Sequence, residues 1–227
     1  MLENNTRKEG NKMAILELKG DIVDNDVKWV YDWLEWDATC PNDAKRVIDA
    51  LEEGETLEVH VNSYGGDVKA GQELYSLFHA VDTSTAVIQS FAASAAGVAA
   101  MGCRTVQISP VGVLMIHNVS CYGVSGDYHD MDRVSNMLQS LNECMANAYV
   151  TKSGRSMEEV LEIMDRETWL GASQALEYGF VDEILQPEDV TYTNAFGGMR
   201  LTQEIYEKVK AEKAKSELLK DLDLYGV

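Results

Sequence analysis

Apolar and polar residues alternate along MAILELKG at 13–20, a period of two that predicts a first β-strand, whereas residues 1–12 before it carry no apolar periodicity and read as a disordered tail. The stretch VKWVYDWLEWDAT then crowds Trp29, Trp33 and Trp36 among acidic residues, a composition that suits a lid or satellite core over a sheet better than a ligand-stacking platform. Pro41 and Asn42 open a helix whose Val47, Ile48 and Leu51 share a face, and Gly54 ends it. LEVHVN at 57–62 alternates like a strand, and Gly65 with Gly66 forms a tight turn into an amphipathic helix over 68–81. TAVIQSF at 85–91 is a further strand, followed by a helix of small residues over 92–102 and two short strands at 105–109 and 113–117. A long helix spans 127–153 with Val134, Met137, Leu138, Leu141, Met145 and Ala148 at helical spacing. Helices at 157–165 and 172–179 and a strand at 181–185 complete the pattern, with Gly179 as a helix stop.

The order strand, helix, strand, helix with short turns predicts an α/β fold with a buried parallel sheet. Past Pro187 the pattern gives way to polar residues and the pair Gly197–Gly198. The expected organisation is therefore a tail at 1–12, one domain at 13–186, a linker at 187–201 and a charged C-terminal segment at 202–227. Glu204 and Lys208 lie four apart in that last segment, as on a solvated helix face.

Charge narrows the partners. The 19 Lys and Arg face 38 Asp and Glu, a formal net charge of −19 at pH 7, and such a surface repels phosphate backbones and anionic lipid headgroups. Neither nucleic acid nor a membrane is an expected partner. The polar start MLENNTRKEGNKM has no apolar stretch like that of a secretory signal, and the apolar run at 86–103 is broken by Gln89, Ser90 and Ser94. The four cysteines, Cys40, Cys103, Cys121 and Cys144, lack paired spacing and read as free thiols of a reducing cytoplasm.

Three short segments have the residue types that nucleophilic catalysis requires: an exposed hydroxyl, a base and backbone N–H groups for an oxyanion. In SFAASAAGVAAMG, Ser94 stands where a strand runs into a helix, among free N–H groups and small neighbours that leave room for a substrate backbone. Alone, a serine among Ala and Gly is more often a helix-packing residue. In VNSYGGD, Gly65 and Gly66 after a strand can offer N–H groups, or clamp an extended peptide beside Tyr64; a plain strand-to-helix turn has the same look. His117 ends the strand VLMIHN, while His60, His79 and His129 have ordinary settings. The cluster Asp127, His129, Asp130 and Asp132 fits no metal-ligand spacing and reads as a solvated helix start. No metal or cofactor is expected.

Taken together, these segments resemble Clp-type serine peptidases. NSYGGD is similar to their NSPGG turn, FAASAAG to their AASMG nucleophile motif, LMIHN to their MIHQP base motif, and ETWLGASQALEYGFVDEI to their DRFLSAPEAVEYGLVDEI region. The four blocks follow the family's order, and the resemblance covers 13 to about 186. It implies a spiral of β-β-α units with a long protruding helix, as in the Clp and crotonase folds. It also implies Ser94 as nucleophile, His117 as base, the N–H groups of Gly66 and Ala95 as oxyanion donors, and Glu167 at the position of the acid. Asp165 stands two residues from Glu167 and is the competing acid. Tyr64 replaces the motif proline and Ala95 the motif methionine.

The aromatic DW and EWDAT segments and the ETW variant resemble the phage and prophage branch of the family, which implies trimming of capsid or scaffold proteins in a host cytoplasm. The implied partners are polypeptide substrates, further copies of the chain in stacked rings, and an ATPase or capsid partner; the chain itself has no GxxxxGK[ST] signature. Two other readings compete: a general proteolytic subunit working with an ATPase, and, from other classes, a crotonase-fold acyl-CoA enzyme or an inactive ring protein.

Overall fold

The computed structural model describes residues 13–186 and 207–213; the expected tail, the linker and most of the C-terminal segment lie outside them. In chain order the elements are β1 Met13–Ile22, α1 Lys28–Trp33, β2 Ala38–Thr39, α2 Pro41–Asp49, β3 Thr56–Gly66, α3 Val68–His79, β4 Ser84–Ala93 and α4 Ala95–Met101. There follow β5 Thr105–Ile108, β6 Val113–Ile116, α5 Tyr128–Ser153, α6 Met157–Asp165, β7 Thr168–Gly171, α7 Ala172–Glu177 and β8 Glu183–Ile184. The strands β2-β1-β3-β4-β5-β8 form a parallel sheet, which makes the molecule α/β as the alternating pattern predicts.

The sheet branches at β4. Its first half, Thr85 to Ile88, pairs with β5, and its last three residues, Phe91 to Ala93, pair with β6. An antiparallel β7 then pairs with β6, Met115 lying opposite Trp169. Alternation along TWLG is too short to announce that strand, so it is absent from the sequence reading.

One face of the sheet forms the core. Leu57, Val59 and Val61 of β3 and Ala86, Ile88 and Ala92 of β4 are fully buried beneath Leu74 and Phe78 of α3 and the whole of α4. Burying side chains such as Leu74 and Phe78 contributes about 1.5–3 kcal/mol each. The helix α4 is built of small residues because it is buried on every side, and a larger face would not fit between β4 and α5. Asp67 caps α3 by accepting from the Ala70 N–H (2.8 Å), which fixes where β3 stops and the helix starts.

The aromatic stretch forms a satellite core of Val23, Tyr31 and Cys40, with Val27, Trp36 and Ala38 packed against it. Residues 207–213 are helical, with Val209 buried and the Lys213 ammonium 3.8 Å from the Trp29 ring centre. Only the C-terminal half of α5 is in the core. Met145 and Tyr149 are buried, while Met137 stands 49 % exposed.

Candidate active site

The end of β4 and the start of α4 meet at Ser94, whose backbone has φ 54 and ψ −125, a region that residues with a side chain rarely occupy. Its neighbours hold it there. The Ser94 N–H donates to Met115 O (3.0 Å) on β6, and its C=O accepts from the Val98 N–H (3.1 Å) in the first turn of α4. A strand-to-helix reversal of this kind lifts a side chain clear of the backbone, as strained turns at functional sites do.

β6 carries the second group. Ala93 pairs with Met115, and His117 lies two residues further on, half-buried just past the strand. This register brings His117 Nε2 to 2.7 Å from Ser94 Oγ, within hydrogen-bonding range for a hydroxyl and an imidazole.

Gly65 and Gly66 end β3 rather than forming a free turn; their φ values of 95 and 151 explain why glycine is needed at both. A Cβ on Gly65 would stand 2.7 Å from Ala93 O, 2.8 Å from Ser94 Cβ and 2.9 Å from Ala95 N, so only glycine lets β3 press against the serine turn. The Gly65 N–H donates to Ser63 Oγ (3.0 Å), which itself donates to Gly20 O (2.6 Å), and the Asp67 N–H donates to Ile22 O (2.8 Å). Both amides therefore serve the β1 side. Strand alternation turns the Gly66 N–H the other way, toward β4, where the Ala95 N–H opens α4 without an intrahelical partner. Tyr64, next to this pair, stacks on Phe91 with ring centres 4.7 Å apart.

The acids lie at the junction of α6 and β7. Asp165 ends α6, Arg166 caps it, and Glu167 is exposed with φ 46, so only Asp165 belongs to the helix, as the expected bounds of 157–165 imply. The β6–β7 register, Ile116 opposite Thr168, extended by one residue sets Glu167 opposite His117. Asp165 instead accepts a hydrogen bond from Asn118 Nδ2 (2.7 Å). Among the described residues no hydrogen bond or ion pair joins the Glu167 carboxylate to His117. Asn118 had no signal in the sequence, since its role depends on a turn that only the folded β6–β7 pair creates.

The remaining candidates have structural partners. His60 sits between Glu17 Oε1 (3.1 Å) and Glu58 Oε1 (2.5 Å); burial would lower its pKa, but the two carboxylates outweigh that and raise it to about 9. Asp127 accepts from the His129 and Asp130 N–H groups, and Asp130 returns the bond to the Asp127 N–H, which makes the acidic cluster the capping box of α5. Among the described residues no group of three or more His, Cys, Asp or Glu is placed to hold a metal ion, and no helix is long and apolar enough to cross a membrane. The cysteines are free; burial pushes the Cys103 thiol up to about 12, and burial with Asp43 nearby pushes Cys40 up to about 11.

Comparison with known proteins adds an independent line. The family model for Clp protease matches residues 45–188. An ATP-dependent Clp protease proteolytic subunit of Bacteroides fragilis is 31 % identical over 143 residues, 61 % of this chain and 68 % of that protein. The protein of the same name from a second strain is 31 % identical over 143 residues and matched over 64 % of its length. A third, from Porphyromonas gingivalis, is 29 % identical over 142 residues, again 61 % of this chain and 64 % of the relative. The chain thus spans about two thirds of the length of these relatives.

Proposed function

The chain belongs to the Clp protease family, and from that premise we propose that it is a serine endopeptidase that cleaves through an acyl-enzyme formed on Ser94. The observation that carries this reading is the 2.7 Å contact between Ser94 Oγ and His117 Nε2 at a strained strand-to-helix turn. Ser94 Oγ attacks the scissile carbonyl carbon while His117 Nε2 takes its proton. The carbonyl oxygen becomes an oxyanion held by the Gly66 and Ala95 N–H groups. Collapse of this intermediate breaks the C–N bond, and the proton on His117 passes to the leaving amine. Water then repeats the sequence to release the acid and restore Ser94. Glu167 is the acid of this reading: its carboxylate accepts from His117 Nδ1–H after a side-chain rotation, and Gly65 and Tyr64 line the path of the extended substrate.

The biological role of the proposal is trimming of capsid or scaffold polypeptides, supported by the likeness of the segments at 29–38 and 167–169 to the phage branch. The names of the relatives favour a second reading, a proteolytic subunit fed by an ATPase. In either role the chain works as a homo-oligomer. Support comes from the exposed apolar residues on and before the outer half of α5, with Tyr122 94 %, Tyr128 70 % and Met137 49 % exposed. Fluorophosphonate labelling followed by peptide mapping tests the core claim. The label is expected on Ser94, and its absence from an otherwise folded chain refutes the peptidase and leaves an acyl-CoA enzyme or a silent ring protein. Release of peptides from purified scaffold protein without ATP separates the two roles.

A further inference from the structure

The stack of Tyr64 on Phe91, ring centres 4.7 Å apart and planes 24° from parallel, takes no part in the chemistry above, yet it stands at the root of both loops that perform it. Tyr64 directly precedes Gly65 and Gly66; Phe91 lies three residues before Ser94. The β3–β4 ladder breaks at this point. Val61 pairs with Ile88 and Ser63 with Ala92, so residues 89–91 of β4 bulge opposite Asn62 alone. The backbone connection between the two strands is thus weakest just before Gly66 and Ser94, while Gly65 and Gly66 themselves pair with β1 on the far side of β3.

We infer that Phe91 is a positioning residue: stacked on Tyr64, it ties β3 to β4 across the bulge and so sets the Gly66 N–H relative to Ser94 Oγ. This rests on the peptidase reading above. Both rings are half-buried, so they contribute less to the core than to the relative placement of the strands. The proline of the related NSPGG turn restrains its own φ through its ring. Tyr64 has no such restraint, and the stack supplies one from the neighbouring strand. Because an error of about 1 Å in the placement of a reacting group costs on the order of 10²-fold in rate, a modest contact can control turnover without controlling stability.

The test compares Phe91→Leu, which keeps apolar volume but loses the flat ring, with Phe91→Tyr, which keeps the ring. With a fluorogenic peptide cleaved by the full-length parent, Phe91→Leu is expected to lower kcat roughly 10- to 100-fold at unchanged KM and an unchanged pH profile. Phe91→Tyr should restore kcat to within about threefold of the parent, and Tyr64→Leu with Phe91→Leu should lower kcat no further than either alone, since the pair acts as one unit, while any rise in KM belongs to the loss of Tyr64 from the substrate path. Hydrogen exchange of the 62–67 segment, read by mass spectrometry, follows the tie without reference to turnover. It should quicken in Phe91→Leu and stay at the parental rate in Phe91→Tyr, with the 13–20 segment unaffected. A raised KM at parental kcat overturns the inference, because Phe91 would then contact substrate, and so does unaltered exchange at 62–67 in Phe91→Leu. A parent that neither cleaves the peptide nor takes the fluorophosphonate overturns the peptidase reading instead, and the exchange experiment still decides whether the stack ties the strands.

Discussion

Two turns of this molecule hold a non-glycine residue at positive φ beside the candidate site, Ser94 at 54 and Glu167 at 46, and they are held in very different ways. The Ser94 turn is gripped from three sides: by Met115 O on β6, by Val98 in α4 and by the close approach of Gly65 on β3. Glu167 is exposed, and its N–H bonds to Met164 O (3.0 Å) in the last turn of α6. Strain persists only where the surroundings over-determine it. Ser94 is therefore preset by the fold, whereas the exposed Glu167 carboxylate opposite His117 has no hydrogen bond to hold it among the described residues.

The largest test of that contrast is Ser94→Ala. The Ser94 backbone is held by main-chain bonds that alanine keeps, so the variant should fold while turnover of a peptide substrate falls on the order of 10⁶-fold. Activity within tenfold of the parent would remove Ser94 from the chemistry. The exposed side of the comparison predicts a smaller loss. Glu167→Gln should cost up to about 10⁴-fold in turnover, as for the third member of a triad, with Glu167→Asp in between. Asp165→Asn should cost little, because its amide oxygen can still accept from Asn118 Nδ2. If Asp165→Asn proves the crippling change, the two acids exchange roles; if neither matters, serine and histidine work as a pair.

Gly65→Ala probes the grip itself. A methyl group 2.7–2.9 Å from Ala93, Ser94 and Ala95 at φ 95 forces β3 away from the serine turn. The expected cost is about 1–3 kcal/mol of stability together with loss of activity, read from urea unfolding and peptide hydrolysis. An active variant of parental stability would mean that the turn is not held from β3.

The smallest effect is expected further back along β3. His60 is bonded to Glu17 and Glu58, so its folded-state pKa of about 9 lies above the ordinary 6.5. The folded chain holds this proton more tightly than the unfolded one. The resulting stability is fully present below about pH 6.5 and is lost as pH rises through about 9. Urea midpoints measured at pH 6 and pH 10 should therefore fall further in the parent than in His60→Gln, and equal falls would discount the pair of carboxylates. Turnover at a given pH should be unchanged in His60→Gln, since His60 pairs with Val87, well before Ser94 along β4.

Much of this architecture is legible before folding because it follows from local periodicity. Alternation along 57–62 marks β3, and Met157–Asp165 has the same bounds in sequence and structure, between the Ser156 cap and the apolar face of Val160, Ile163 and Met164. The small residues after Ser94 announce a helix, and the structure buries every residue of it. What escapes is non-local. The strand β7 has no periodicity of its own and exists through pairing with β6, and the branch at β4 depends on which of two strands reaches each half of it.

Residue types and their order along the chain determine the α/β alternation, the acidic surface and the presence of one serine turn, one glycine pair and one histidine at strand ends, because each is a property of a few neighbouring residues. Only the tertiary structure decides that His117 reaches Ser94, that the Gly66 N–H turns toward β4, and that Asp165 bonds to Asn118 while Glu167 stands opposite the histidine. These are matters of register between segments far apart in sequence, and a shift of one residue in the pairing of β6, which leaves composition untouched, would turn its side chains to the opposite face of the sheet.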